Sequence, residues 1–226
     1  MTDIPILFFF LNSNASGGPW GYASANEGGH CSHCGTRPHA PIGTMTLRIN
    51  PRKRWPDAFG IDNYTGCVVA ERVVSTLIDN GVDVGVGPVE FEFMEEGGIA
   101  PPNYYYLVPK PGLALDLAAG GIILENYCPR CGLPLKTTYL QHQGTNKIVP
   151  LVDTWTGLDI FKFTNLPHKA CCCSLRILEL ARQHKWSNFS FHSLRINRPT
   201  GAEAGPYNID YKSRTNWPPQ ELLWGH

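Results

Sequence analysis

The apolar and polar positions of this chain switch between two periods, and the switches lay out its elements. Residues 1–11, with Ile4 and every position from Ile6 to Leu11 apolar, read as a buried first strand, and the Ser/Asn/Gly-rich residues 12–29 as the loop after it. Residues 45–50 alternate enough for a short strand. From Cys67 the period becomes helical. Val69, Val73, Val74 and Leu77 share a face, Ile78 extends it and Asn80-Gly81 supplies the stop, about three turns in all. Residues 82–94 are extended, with Val89, Phe91 and Phe93 on one face and Glu90 and Glu92 on the other, until Gly97-Gly98 and Pro101-Pro102 end the run.

Residues 104–108 and 113–117 read as strands separated by a turn over 109–112, and Ile122-Ile123-Leu124 as a third. After a polar stretch at 141–147, residues 158–163 alternate as a strand. The helical period then returns: Cys173, Ile177, Leu180 and Ala181 share a face, with Leu178 beside them, ending near His184-Lys185. Phe189, Phe191 and Ser193 line one face of a last strand. From 197 onward Pro199, Gly201, Gly205, Pro206, Pro218 and Pro219 predict an irregular tail running through Trp217 and Trp224.

Two short motifs stand inside this frame, Cys31-Ser32-His33-Cys34-Gly35 and Cys128-Pro129-Arg130-Cys131-Gly132. A two-residue spacer lets both sulfurs of a CxxC turn reach one metal ion, and glycine tolerates the positive φ that such a turn often needs. One CxxC alone reads equally well as a redox dithiol. Two copies with glycine in the same place favour metal, with disulfides or free thiols as the competing states. The expectation is one structural Zn2+ per chain held by Cys31, Cys34, Cys128 and Cys131. His30, His33 and His39 crowd the first motif but are redundant beside a complete four-thiolate set.

The segment from Cys67 to Val74 lies over the segment from Cys171 to Leu178 without a gap at an offset of 104, matching Arg72 with Arg176, and the two CxxCG motifs are offset by 97. An apolar period aligns many helices by chance, but chance does not also place the motifs. The predicted fold class is therefore α+β: a duplicated unit of zinc knuckle, extended segment, helix and strand, the two knuckles sharing one zinc. Residues 1–120 form the N-terminal half and 121–226 the C-terminal half with its loop-rich tail, packed as one compact unit.

Both CxxCG motifs, together with Asp159-Ile160-Phe161, the run from Cys173 to Glu179 and Phe189-Ser190-Phe191, resemble the double-CxxCG motif proteins. These occur as expanded paralogous sets in myxobacteria and are regarded as immunity proteins of polymorphic toxin systems. The resemblance covers most of residues 28–196. In the family's usual pattern an acid precedes the helix arginine, as in Glu71-Arg72; Leu175-Arg176 departs from this, and the Cys171-Cys172-Cys173 run is unusual. The resemblance implies a non-enzymatic protein that binds and blocks one cognate protein toxin, and it brings no catalytic residues with it.

Charge and motif content bear on the alternatives. With 19 Lys+Arg against 19 Asp+Glu the chain has no global field to hold a polyanion, so a zinc-ribbon nucleic-acid-binding or regulatory protein, contacting phosphate through Arg52, Lys53, Arg54 and Arg130, is the second reading. Four cysteines close the coordination shell that a catalytic zinc keeps open. The chain carries no HExxH, GxSxG or phosphate-binding glycine loop, and no enzyme is expected. Cys171–Cys173 near His168 or His184 are the one nucleophile candidate, more simply read as small buried hydrophobes. Asp79, Asp83, Glu95 and Glu96 are candidates for facing a basic toxin, and Trp20, Trp55, Tyr104, Trp186, Trp217 and Trp224 for anchoring it. The apolar N-terminus lacks a basic n-region and a cleavage site, and no run is long enough to span a bilayer. With CxxC pairs this points to a reducing, cytoplasmic location without membrane partners.

Overall fold

The computed structural model describes residues 8–13, 23–25, 31–34, 43–61, 64–139, 148–166 and 171–194. The expected loop at 141–147, the tail from 197, His30, His39, His168, Trp20, Trp217 and Trp224 lie outside these residues.

Two six-stranded sheets and a detached hairpin carry two helices. In chain order the elements are β1 (Phe8–Ser13), β2 (Ala23–Ala25), β3 (Met45–Ile49), β4 (Ala58–Ile61), β5 (Tyr64–Ala70), α1 (Glu71–Asp79), β6 (Gly85–Phe93) and β7 (Tyr104–Val108). Then follow β8 (Lys110–Leu115), β9 (Ile122–Tyr127), β10 (Pro134–Tyr139), β11 (Pro150–Leu151), a short 3-10 turn (Val152–Thr154), β12 (Ile160–Phe163), β13 (Cys172–Ser174), α2 (Leu175–Gln183) and β14 (Phe189–Ser193). The first sheet runs β2-β3-β6-β7-β5-β4, the second β11-β8-β12-β13-β1-β14, and β9 pairs only with β10.

The duplication is real, and it is wider than the helix match. The four strands β4-β5-β7-β6 and the four strands β12-β13-β1-β14 have the same antiparallel order. Tyr104 pairs with Ala70 and Tyr106 with Val68; Phe8 pairs with Ser174 and Phe10 with Cys172. Phe8-Phe9-Phe10-Leu11 is thus the counterpart of Tyr104-Tyr105-Tyr106-Leu107. Counted from this aromatic strand, with the boundary between β6 and β7 and not at residue 120, each repeat sends it into the other's sheet: β7 then opens the second repeat and lies between β5 and β6 of the first, while β1 lies between β13 and β14 of the second. A reciprocal strand exchange leaves neither sheet complete from one repeat.

Three apolar clusters follow from the alternation of side chains across strands. Phe9, Leu11, Cys67, Val69, Leu107, Cys171, Cys173, Phe189 and Phe191 turn into a shared core with Val73, Val74 and Leu77 of α1 and Ile177, Leu178, Leu180 and Ala181 of α2. Their neighbours in sequence turn outward: Val68, Ala70, Tyr104 and Tyr106 into a cluster on the first sheet, and Phe8 and Cys172 into one on the second. Only glycine fits opposite Tyr106, because a Cβ on Gly87 would stand 2.1 Å from its ring.

Several expectations change. Residues 67–70 belong to β5 and not to the helix, which begins at Glu71, and Cys173 is buried but sits on β13, before α2. A strand buried on both faces reads as an unbroken apolar run, which periodicity cannot separate from a helix. Pro109 alone separates β7 from β8, where a turn over 109–112 is expected, and Ala23–Ala25 is a strand inside the expected loop. Both helices end alike. The amides of Asn80, Gly81 and Val82 bond the carbonyls of Thr76, Ile78 and Leu77, and those of His184, Lys185 and Trp186 bond Leu180, Arg182 and Ala181, each at an offset of 104. Gly81 takes the left-handed φ of +70° that this cap requires; Lys185 takes +52° without glycine's freedom.

Candidate metal centre

Antiparallel strand pairs present the two CxxC turns. Cys31 and Cys34 lie in the connection between β2 and β3, and Cys128 and Cys131 in the turn of the β9–β10 hairpin. The hairpin is held against the second sheet by Ile122 and Leu124. Its turn closes through Cys128 N–H to Leu133 C=O at 2.8 Å and Gly132 N–H to Cys128 C=O at 2.8 Å, with Gly132 at φ +70°. Gly35 lies outside the described residues.

The turns meet. Sγ of Cys31 is 3.7 Å from Sγ of Cys128, and Sγ of Cys34 is 3.7 Å from Sγ of Cys131, so equivalent cysteines touch across the repeats. All four sulfurs lie within 4.8 Å of one another, the only such cluster of Cys, His, Asp or Glu among the described residues. A tetrahedral ion at about 2.3 Å from each sulfur separates them by roughly 3.8 Å, so these contacts suit one zinc ion. His33 is exposed and stands outside the cluster. Arg130 also donates across the turns, to Ser32 Oγ.

The donor set is able to hold a cation. The amides of Cys34 and then His33 draw the Cys31 thiol below its ordinary value. At Cys131 the Leu133 amide also pulls down, but desolvation and the other three sulfurs outweigh it and push the thiol up to about 12. Once one thiolate forms, its neighbours resist ionising; a dication removes that conflict by pairing with all four.

Arginines also tie the repeats together, and reciprocally. Arg72 of α1 forks onto Asp57 and donates to the C-terminal carbonyl of α2, His184 O, at 3.4 Å. Arg176 of α2 bonds Asp159 Oδ2 at 2.9 Å and donates to the C-terminal carbonyl of α1, Asn80 O. Asp57 is 4% exposed and also accepts from Ser187 N at 2.6 Å and Ser187 Oγ at 2.7 Å, in the other repeat. Sequence reading matched the two arginines but not their acids. The signal was there: Asp57-Ala58 and Asp159-Ile160 each precede a strand at nearly the helix offset.

The other sequence candidates fare differently. Cys67, Cys171, Cys172 and Cys173 are fully buried, and burial pushes all four thiols up, Cys67 to about 12. Tyr104 and Trp186 are core residues and cannot anchor a partner. Trp55 is half-buried against Phe59, Phe91, Phe93 and Tyr104 with its Nε1 bonded to Ile99 O at 2.7 Å, and Arg52 lies over the Phe59 ring, so this tryptophan is not open for stacking on a base. Asp79, Glu95 and Glu96 are exposed, and Asp83 pairs with Lys110 at 2.7 Å. No described helix is long and apolar enough to cross a membrane. No protein-family model and no curated protein matches the chain; the structure itself shows a duplicated α+β fold with a four-cysteine cluster able to hold one metal ion.

Proposed function

We propose that this protein is a zinc-stapled immunity protein of the double-CxxCG kind, acting in the reducing cytoplasm, that binds one cognate polymorphic toxin, a nuclease among the candidates, and blocks it without chemical turnover. The observation that carries the reading is the four-sulfur cluster drawn equally from both repeats. Four thiolates fill a tetrahedral shell, leaving no position for substrate, so the metal's work is to fix two repeats into one preformed surface. The reciprocal arginines serve the same end.

A surface suited to a partner is present. Phe93 and Ile99, which contact Trp55, are exposed large apolar residues, and so is Met94 next to Phe93 in the chain, followed by the exposed Glu95 and Glu96. Exposed apolar side chains rimmed by acids suit a basic toxin. An inhibitor that must outlast toxin delivery needs nanomolar affinity or better, about −12 kcal/mol, which a few buried anchors supply.

Co-expression with the toxin encoded beside it is the test. Cells survive and the two proteins co-purify if the reading holds. Death with the intact protein present, or survival with no complex, rejects it. Replacing Met94 and Ile99 by Asp in the folded protein is expected to abolish protection while metal content and melting temperature stay unchanged.

A further inference from the structure

The eight cysteines fall into two classes. Cys67, Cys171, Cys172 and Cys173 are sealed in the core, whereas Cys131 is exposed and Cys31 and Cys34 are half-buried. Cys128 is buried at 2% exposed but joins the second class by contact: Sγ of Cys31 touches Sγ of Cys128 and Sγ of Cys34 touches Sγ of Cys131, each at 3.7 Å, so each pair has at least one accessible sulfur and both bridge the repeats. Closing either contact to an S–S bond brings the two sulfurs from 3.7 Å to about 2 Å.

We propose that the four-cysteine centre is a reversible oxidation site, at which hydrogen peroxide converts it into two cross-repeat disulfides, Cys31–Cys128 and Cys34–Cys131, and expels the metal. The proposal rests on the metal reading and is independent of the toxin. In each pair one thiolate attacks a peroxide oxygen, the O–O bond breaks, and the departing hydroxide takes a proton to leave as water. The partner thiolate then attacks the resulting sulfenic acid, forming the S–S bond as a second hydroxide takes a proton and leaves. Over both pairs, two peroxides oxidise four thiolates, four protons are consumed and four waters form. No thiolate then remains to hold a dication.

Because the new bonds span the repeats, oxidation exchanges one staple for another. Each disulfide closes a loop of about a hundred residues, a large constraint on the unfolded chain. Disulfides within a turn, Cys31–Cys34 and Cys128–Cys131, would expel the metal equally well but leave the repeats unlinked. The oxidised, metal-free protein therefore differs from the reduced, chelated protein: the first stays joined across the centre and the second does not.

The experiment titrates the full-length zinc-loaded protein with hydrogen peroxide in the presence of a chromophoric zinc indicator, followed by non-reducing peptide mapping and thermal melts. Expected are one zinc released per two peroxides, peptides of Cys31 linked to those of Cys128 and of Cys34 to those of Cys131, and a melting temperature above that of the chelated, reduced protein. A phosphine reductant with added zinc restores the starting state. Intra-turn disulfides, a melt equal to that of the chelated form, or peroxide consumed at Cys67 and Cys171–Cys173 while zinc stays bound would each overturn the proposal. A purified protein that neither contains nor takes up zinc overturns metal release and the metal centre together, leaving toxin binding to its own assay. The double variant Cys34→Ser/Cys131→Ser is expected to form the single Cys31–Cys128 link with one peroxide; if it fails to fold, the wild-type map decides.

Discussion

Replacing Asp57 by Ala tests the reciprocal joint between the repeats. The Asp57 carboxylate is buried, receives a forked pair from Arg72 within its own repeat, and accepts the Ser187 amide at 2.6 Å and hydroxyl at 2.7 Å from the other. Its removal strands the Ser187 amide, which costs about 1–3 kcal/mol. Arg72 loses its partner as well, but its side chain is 55% exposed and water takes over much of that loss, so the arginine adds about 1 kcal/mol at most. The expected destabilisation is about 3 kcal/mol in urea denaturation of the zinc-loaded protein, with an unchanged m-value. The counterpart Asp159 is 14% exposed on its side chain and, among the described residues, bonds Ser174 Oγ and Arg176, both in its own repeat, so Asp159→Ala is expected to cost about half as much. A loss below about 1 kcal/mol for Asp57→Ala, or one no larger than for Asp159→Ala, refutes the idea that Asp57 joins the repeats. So does strict additivity of Asp57→Ala with Ser187→Ala, since groups in one hydrogen-bond network are coupled.

Elemental analysis of the purified protein is expected to find one zinc per chain, and Cys34→Ser or Cys131→Ser is expected to lose it and to lower the stability of both repeats together; loss confined to one repeat would mean two separate sites. The four buried thiols predict alkaline sensitivity. In the fold they stay protonated beyond their ordinary value of 9.0, Cys67 to about 12, while in the unfolded chain they ionise near that value. The unfolded state therefore binds fewer protons above pH 9.0, and stability falls as pH rises from there by about 1.4 kcal/mol per pH unit for each thiol, with no contribution below it. A flat stability profile from pH 9 to 10.5 would contradict this burial. Native-state labelling with a small alkylating reagent should likewise leave Cys67 and Cys171–Cys173 unmodified, and rapid labelling there would restore the nucleophile reading. Gly87→Ala drives its methyl into the Tyr106 ring and is expected to cost about 1–3 kcal/mol, whereas Gly43→Ser, with nothing within 4 Å but a φ of +84°, reports backbone strain alone.

The sequence by itself determined the local chemistry. Each pair of cysteines on a two-residue spacer specifies half of a four-sulfur cluster, because the spacing is a property of the turn and needs no tertiary fold; only the fold brings the two halves together. The helices were legible because Val73, Val74 and Leu77, and Ile177, Leu180 and Ala181, recur at the helical period. Their offset of 104 was legible because gapless similarity survives translation along a chain. Only the tertiary structure decided how the repeats are combined. Phe8-Phe9-Phe10-Leu11 and Tyr104-Tyr105-Tyr106-Leu107 both read as buried strands, but nothing local states whose sheet a strand joins, since strand pairing is a choice among distant partners. Here each strand crosses to the other repeat. The same limit hid the roles of Asp57 and Ser187, which lie 130 residues apart, and mistook Cys171–Cys173 for the start of a helix, because a strand flanked by two apolar layers has lost the alternation that identifies it. Spacing within one turn can be read from the chain; pairing between distant segments is settled by which arrangement buries the most apolar surface while leaving no carboxylate or amide alone.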